Sequence, residues 1–426
     1  MNDTARPSLA LRVARLALLL GYGAFFFCLD LAAMILRGAN LEWLALMTMA
    51  LFIVGVVVLW KRPAWLANWP VLGTLAVILL GVAGWLAIDD PKVDYPVTLA
   101  EISPAPAKDA AAGYAATLWF TEVGGKPAAH TVPDGKFHLK SSLTEKPEKW
   151  GSEIAANREM FAAELAALAP AREWLAELDR FAELGDMPAP DFAAPMIKSG
   201  VFNRVVGATC VQAGLLALDG HGDEAFEAIR PALSVALKLE RHGRSDLRML
   251  LAARAVQNCV SAAQFVLAHA PVSAEARARL AQVAAQRDAL GVVHRVAWLP
   301  YTLSGDYILK HQVEALDSLS AQFNQSSAWL MRPLVYTHKL WFLPNRTANS
   351  MARFALAAEQ QLSAPGAAAG HDAWRAAWIE LTSTSPKNLG GRAIIAIAVP
   401  NYERMGQRLE ATEKSRLALL AALSKS

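Results

Sequence analysis

Residues 197–240 read IKSGVFNRVVGATCVQAGLLALDGHGDEAFEAIRPALSVALKLE. The stretch predicts a helix from about Ile197 to Leu218, ended by Gly220-His221-Gly222, because glycine accepts the left-handed backbone that closes a helix C-terminus. Asp223 is placed to cap the next helix. The buried face of that helix reads Phe226, Ile229, Leu233, Ala236, Leu237 and Glu240, at three- and four-residue intervals, with Pro231 expected to kink it. Two helices joined by a short glycine turn make a hairpin, so the expected class is all-α.

The same alternation of helix and turn extends outward. Phe161, Leu165 and Leu168, then Trp174, Leu178 and Phe181, mark two amphipathic helices divided by Pro170. A proline-rich break, Pro188 to Pro195, precedes the quoted hairpin. Further helices are expected from Asp246 to His269, from Ser273 as N-cap to Leu290, and from Asn401 to Leu423. Residues 151–426 thus form a helical-repeat-like domain of stacked hairpins. With Ala213, Leu216 and Ala217 on the first helix, Gly222-Asp223-Glu224-Ala225 at the turn, and Ala232, Ala236 and Leu237 on the second, the segment from Gly207 to Glu240 resembles a tetratricopeptide-type hairpin over one repeat's length. That resemblance implies a helical hairpin stack. The whole layout looks like that of bacterial membrane-anchored helical proteins, a likeness that implies no activity.

Residues 1–90 read as a membrane domain. Three apolar runs, Leu16 to Leu36, Trp43 to Trp60 and Pro70 to Ile88, each approach the ~20 residues whose helical rise crosses a ~30 Å hydrocarbon core. Arg6, Arg12, Arg15, Lys61 and Arg62 flank one side of these spans, against Arg37 on the other. Basic residues in short loops stay cytoplasmic, so the N-terminus is expected in the cytoplasm of a bacterial inner membrane and the chain after Asp89-Asp90 in the periplasm. Trp43, Trp60, Trp65, Trp69 and Trp85 fall at or near span ends, where indoles favour the lipid interface. The length of the first run and the two spans after it argue for a retained helix over a cleaved signal. Asp30 is the acidic residue inside a span; it is a candidate intramembrane polar contact, or it reaches the outer interface and Arg37.

Residues 91–150 are rich in proline, including Pro91, Pro96, Pro104, Pro106, Pro127, Pro133 and Pro147. Lys92 to Ala111 reads as an extended spacer leaving the membrane, Tyr114 to Val123 as a strand or short helix, and Pro133-Asp134-Gly135 as a turn.

The net charge of +3 over 426 residues gives no basic excess for nucleic acid. No His-Glu-x-x-His, Cys-x-x-Cys or Gly-x-Ser-x-Gly pattern occurs, and His130, His138 and His371 read as surface histidines, so no metal, cofactor or catalytic residue is assigned. Asn388-Leu389-Gly390-Gly391-Arg392 lacks the Lys-Ser/Thr of a phosphate loop and reads as a glycine turn into a buried segment, Ala393 to Val399, ended by Pro400. Trp298, Tyr301, Tyr307, Phe323, Trp329, Tyr336, Trp341 and Phe342 crowd residues 298–342, either as a core wedge or lining a ligand groove. Cys28 lies in the first span. Cys210 and Cys259 lie beyond it, either as two buried thiols or as a disulfide, which chain entropy would value at ~4 kcal/mol. The expected role is a membrane-tethered scaffold or interaction protein of the envelope that binds a protein partner. The alternatives are an accessory subunit of a transport or secretion complex and an enzyme with its site in 298–342.

Overall fold

Every regular element among the described residues is helical. The computed structural model describes residues 9–10, 13, 69–95, 97–102, 147–184, 199–243, 246–302, 342–363, 388, 391–392, 395 and 402–425. The first two expected spans with Cys28 and Asp30, the run from Tyr114 to Val123, the Pro133 turn, the Pro188 to Pro195 break, His130, His138 and His371 lie outside them. So do Tyr307, Phe323, Trp329, Tyr336 and Trp341. The chain divides into two compact units, one built from Met1–Pro96, Leu303–Ala357 and Asp372–Val399, the other from Val97–Thr302, Ala358–His371 and Pro400–Ser426.

In the first unit, α1 (Trp69–Ala87) carries no charged residue, and Val77, Ile78, Leu80, Val82 and Trp85 are exposed along it. The second unit begins with α2 (Leu99–Ile102), a single turn held by a capping box. Thr98 N–H donates to Glu101 Oε2 at 2.8 Å, and Glu101 N–H donates to Thr98 Oγ1 at 3.3 Å. Its Ile102 is fully buried. The expected spacer from Lys92 to Ala111 is therefore interrupted by a helical turn.

Helices α3 (Pro147–Ala156), α4 (Arg158–Ala167) and α5 (Ala169–Leu178) follow. Pro170 sits in the first turn of α5, where its missing N–H would have had no partner in any case. The quoted hairpin is α6 (Ser199–Leu218) and α7 (Gly222–His242). It closes as a Schellman turn: Gly220 has φ +84°, its N–H donates to Ala217 O at 3.0 Å, and His221 N–H donates to Leu216 O at 2.8 Å. Gly222 is required by close approach, since a Cβ there would lie 2.1 Å from Pro271 O. Asp223 does not cap α7. It lies inside the first turn, after His221 at the N-cap, and its carboxylate instead accepts the Ser273 N–H at 2.7 Å. That donor, with the Asp223 side-chain contact to Ser273, holds the Asp223 carboxyl below the ordinary carboxylate range. Helix α7 runs through Pro231 to His242.

Helix α8 (Asp246–His269) packs against α6, α7 and α12 (Tyr402–Leu423). Its segment Met249–His269 is the one helix among the described residues long and apolar enough to cross a membrane by length and composition, and about half of it is buried. Its alanines explain the burial: Ala252, Ala253, Ala255, Ala262 and Ala263 let neighbouring backbones approach. Opposite them stand Arg254, Gln257, Asn258 and Gln264, and Gln264 donates to Ser415 O at 3.2 Å. This helix is a core element.

The helix expected from Ser273 to Leu290 is two. Ser273 caps α9 (Ala274–Ala284) by accepting the Ala276 N–H at 3.2 Å, as expected. Asp288 then caps α10 (Ala289–Pro300) by accepting the Gly291 N–H at 2.9 Å. The break between them exists because Arg287 turns inward. Its side chain is 2% exposed, and it donates from Nε and Nη2 to Glu240 at 2.8 and 2.7 Å and from Nη1 to Glu413 at 2.7 Å. Glu413 also takes Arg416 Nε at 2.9 Å, and Arg416 Nη1 reaches Ala284 O at 3.0 Å. Burial pushes the Arg287 guanidinium down, but Glu240 and Glu413 outweigh it and hold it above its ordinary value.

Glu240→Ala strands the buried Arg287 charge, and urea unfolding of the solubilised chain is expected to show a loss of about 3–5 kcal/mol. Glu240→Leu combined with Arg287→Met should lose less than either single change. Burial alone raises the Glu413 carboxyl, but hydrogen bonds from Arg416 and Arg287 outweigh it and leave it below the ordinary value. A depressed folded pKa contributes stability that is present above the unfolded value of ~4.3 and lost as pH falls through the folded value. Stability measured against pH should therefore drop below about pH 4.3, and Glu413→Gln should flatten that limb.

Candidate functional site

His294 and Trp298 lie four residues apart on α10, so they share one face. Both meet Glu359, which lies near the end of α11 (Pro344–Ser363), in the part of that helix that belongs to the second unit. Glu359 Oε1 is 2.5 Å from His294 Nδ1, and Oε2 accepts the Trp298 Nε1–H at 2.7 Å. An ionised carboxylate on Nδ1 fixes the tautomer with a proton there and leaves Nε2 as the basic nitrogen. The His294 side chain is 39% exposed, while Trp298 is buried with Tyr301 edge-on at 5.7 Å. Chemically the trio is an oriented imidazole that can accept or donate a hydrogen bond, or a proton, at Nε2. Its aromatic member belongs to the core, as does Phe342 in the other unit.

In the first unit the notable construction is the start of α11. Its local N-cap position is Leu343, whose side chain cannot accept a hydrogen bond, and Pro344 follows at the first helical position. Caps arrive from far along the chain. Asp89 accepts Asn345 N–H and Arg346 N–H, both at 2.9 Å, and Asn388 Oδ1 accepts Leu343 N–H at 2.8 Å. Asn388 is held at φ +58°, a backbone that Asn tolerates better than most residues, and its amide also donates to Thr347 Oγ1 at 3.0 Å. The strand of chain leaving α1 is laced to the same helix. Asn349 Nδ2 donates to Pro91 O at 2.9 Å, Val93 N–H donates to Asn349 Oδ1 at 3.2 Å, and Arg346 lies 3.6 Å from Asp90. Gly391 packs where a Cβ would fall 2.0 Å from Thr347 Oγ1, which explains that glycine without a phosphate. Burial, then repulsion from Arg346, pushes the Arg392 guanidinium below its ordinary value.

Cys210 on α6 and Cys259 on α8 are both buried in the second unit, each as a free thiol. The Cys210 side chain and burial hold the Cys259 thiol well above the ordinary value. Among the described residues no group of three or more His, Cys, Asp and Glu side chains is arranged to hold a metal ion. Asp30 lies outside the described residues. Sequence reading did not find His294–Glu359, Asp89 or Asn388; the usable signals were Pro344 after a residue unable to cap, and Asp89-Asp90 closing an apolar run. No protein-family model matches the chain, and no curated protein or solved structure matches it.

Asp89→Ala removes the acceptor for two N–H groups of α11, worth about 1 kcal/mol. Amide exchange at Asn345 and Arg346, followed by mass spectrometry, should accelerate about fivefold while exchange in α8 stays unchanged.

Proposed function

We propose that this protein is a membrane-tethered component of the bacterial envelope, with its helical bulk on the periplasmic side, acting as a scaffold that binds another envelope protein. The observation that carries the reading is α1. A helix without charge on which Val77, Ile78, Leu80, Val82 and Trp85 are exposed presents an apolar surface that lipid stabilises better than water. Within it, Ala76–Ala87 is the apolar stretch. The two apolar runs before it and the charge asymmetry around Arg6, Arg12, Arg15, Lys61 and Arg62 support three spans with a cytoplasmic N-terminus. For the partner, the support is architectural: α6, α7 and α8 pack pairwise on one another and α9 packs on α7, an all-helical body with helix faces left for another protein.

A second reading is an enzyme, favoured by the carboxylate-oriented imidazole of His294. An accessory subunit of a transport or secretion complex remains the reading in which Asp30 meets partner spans. A reporter enzyme active only outside the cytosol, fused after Ser426, should be active, and the chain should resist alkaline carbonate extraction. Activity of a cytosol-only reporter in its place would sink the tether's orientation. Detergent pull-down should recover a stoichiometric partner that survives His294→Ala, whereas Asp30→Ala removing it would favour the accessory subunit.

A further inference from the structure

The second unit is assembled from Val97–Thr302, Ala358–His371 and Pro400–Ser426, so α12 joins it as a separate segment and can leave without breaking the run of chain from α2 to α10. It lies on α8 and α9 and buries Met405, Leu409, Leu419 and Leu423. Between these apolar residues stands Glu413. Its Oε2 accepts Arg287 Nη1 at 2.7 Å and Arg416 Nε at 2.9 Å, and its Oε1 accepts Arg416 Nη2 at 2.5 Å. The charged groups facing it are thus Arg287, from the break between α9 and α10, and Arg416, from its own helix. Behind Arg287 stands Glu240 on α7. Toward α12, α8 presents the neutral Gln264, and α9 presents the Ala284 carbonyl and Arg277, which donates to Lys425 O at 2.8 Å.

We propose that α12 is an acid-released strap: protonation of Glu413 lifts it from α8 and α9 while the rest of the second unit stays folded. Glu413 is the member of the ion cluster that water reaches, with its side chain 25% exposed against 1% for Glu240. Once protonated it carries no charge, and its O–H meets two guanidiniums that can only donate. The two arginines then fare differently. Arg287 keeps Glu240, which takes two of its N–H groups at 2.8 and 2.7 Å. Arg416, 9% exposed, keeps only the Ala284 carbonyl at 3.0 Å. A guanidinium shut from water without a counter-charge is strongly unfavourable, and rehydration relieves it. Arg416 rides on α12, so lifting α12 brings it to water, whereas moving the α9–α10 break would sever the intact Arg287–Glu240 pair. The imbalance therefore acts on α12. Burial raises the Glu413 carboxyl, but the hydrogen bonds from Arg416 and Arg287 outweigh it and hold the carboxyl below its ordinary value. The strap is accordingly closed above the unfolded value of ~4.3 and opens as pH falls through the folded one. Opening uncovers the parts of α8 and α9 that α12 covers.

The test follows amide exchange by mass spectrometry in the full chain in detergent, from about pH 7 to pH 3, with each rate divided by the intrinsic rate at that pH. Peptides from α12 are expected to lose protection at least about tenfold below pH ~4.3 while those from α6 and α7 keep theirs. Glu413→Gln, which is neutral at every pH, should show the open α12 already at neutral pH, again with α6 and α7 unchanged. Arg416→Met removes the charge that drives the lifting and leaves Arg287 with Glu240; its α12 should stay protected within about twofold of its neutral value across the same range. Protection of α12 that persists to pH 3, or that is lost together with α6 and α7 at one pH, overturns the proposal. So does an Arg416→Met chain whose α12 opens at the same pH as the wild type. The wild-type titration and Arg416→Met decide the matter even where Glu413→Gln fails to fold.

Discussion

The buried guanidinium of Arg287 is the constraint around which the second unit is arranged. Taken from water, it is stable only if its donors meet charge of the opposite sign, and they do so on two helices far apart in sequence, at Glu240 on α7 and Glu413 on α12. Arg416 completes the set by balancing Glu413 and accepting the duty of closing α9 at the Ala284 carbonyl. Apolar packing tolerates small slips, because a methyl finds another methyl nearby. A fork-to-fork contact does not, since shifting either helix by one residue, ~1.5 Å, breaks both bonds at once. The ion cluster therefore fixes register among α7, the α9–α10 break and α12, while the apolar residues around α8 supply most of the driving force.

Helix α8 shows why hydropathy alone does not assign a helix to lipid. Helix α8 passes a length-and-composition test for crossing a membrane, yet its alanines lie under α6, α7 and α12, and Arg254, Gln257, Asn258 and Gln264 line its other side. Those polar groups would be expensive in hydrocarbon, and Gln264 here donates to Ser415 O. Helix α1 carries no charged residue, and its Val77, Ile78, Leu80, Val82 and Trp85 are exposed while Leu86 is buried. What separates the two is the distribution of polar atoms around the axis rather than the mean.

Legibility in the sequence follows the range of the interaction. Signals acting over three or four residues were readable: the glycine closing α6, Ser273 capping α9, Pro170 opening α5 and the periodic face of α7. Glu240 was even placed on that buried face, but its partner was not, because Arg287 lies 47 residues away and only tertiary packing brings them together. The same limit explains the helix drawn unbroken from Ser273 to Leu290: locally, Gln286-Arg287-Asp288 continues a helix well, and the inward turn of Arg287 ends it. Asp223 misled for a related reason. A carboxylate beside a helix start is favourable there whether it caps that helix or, as here, the turn before another. Of the candidate site residues, His294 carried no motif because Glu359 reaches it from 65 residues away.

Long-range capping also changes what the segment after α1 is. Its proline content suggested a loose spacer, and a spacer would let α1 and α11 move independently. Instead Asp89 neutralises the partial positive charge at the start of α11, and Pro91 and Val93 lock onto Asn349 one turn further in. The contacts alternate between backbone and side chain on both partners, so no single rotamer change releases them. Sliding α1 along its axis by one residue would pull the Asp89 carboxylate out of reach of both N–H groups together. Within the first unit, then, the chain leaving the apolar helix is pinned to the start of α11.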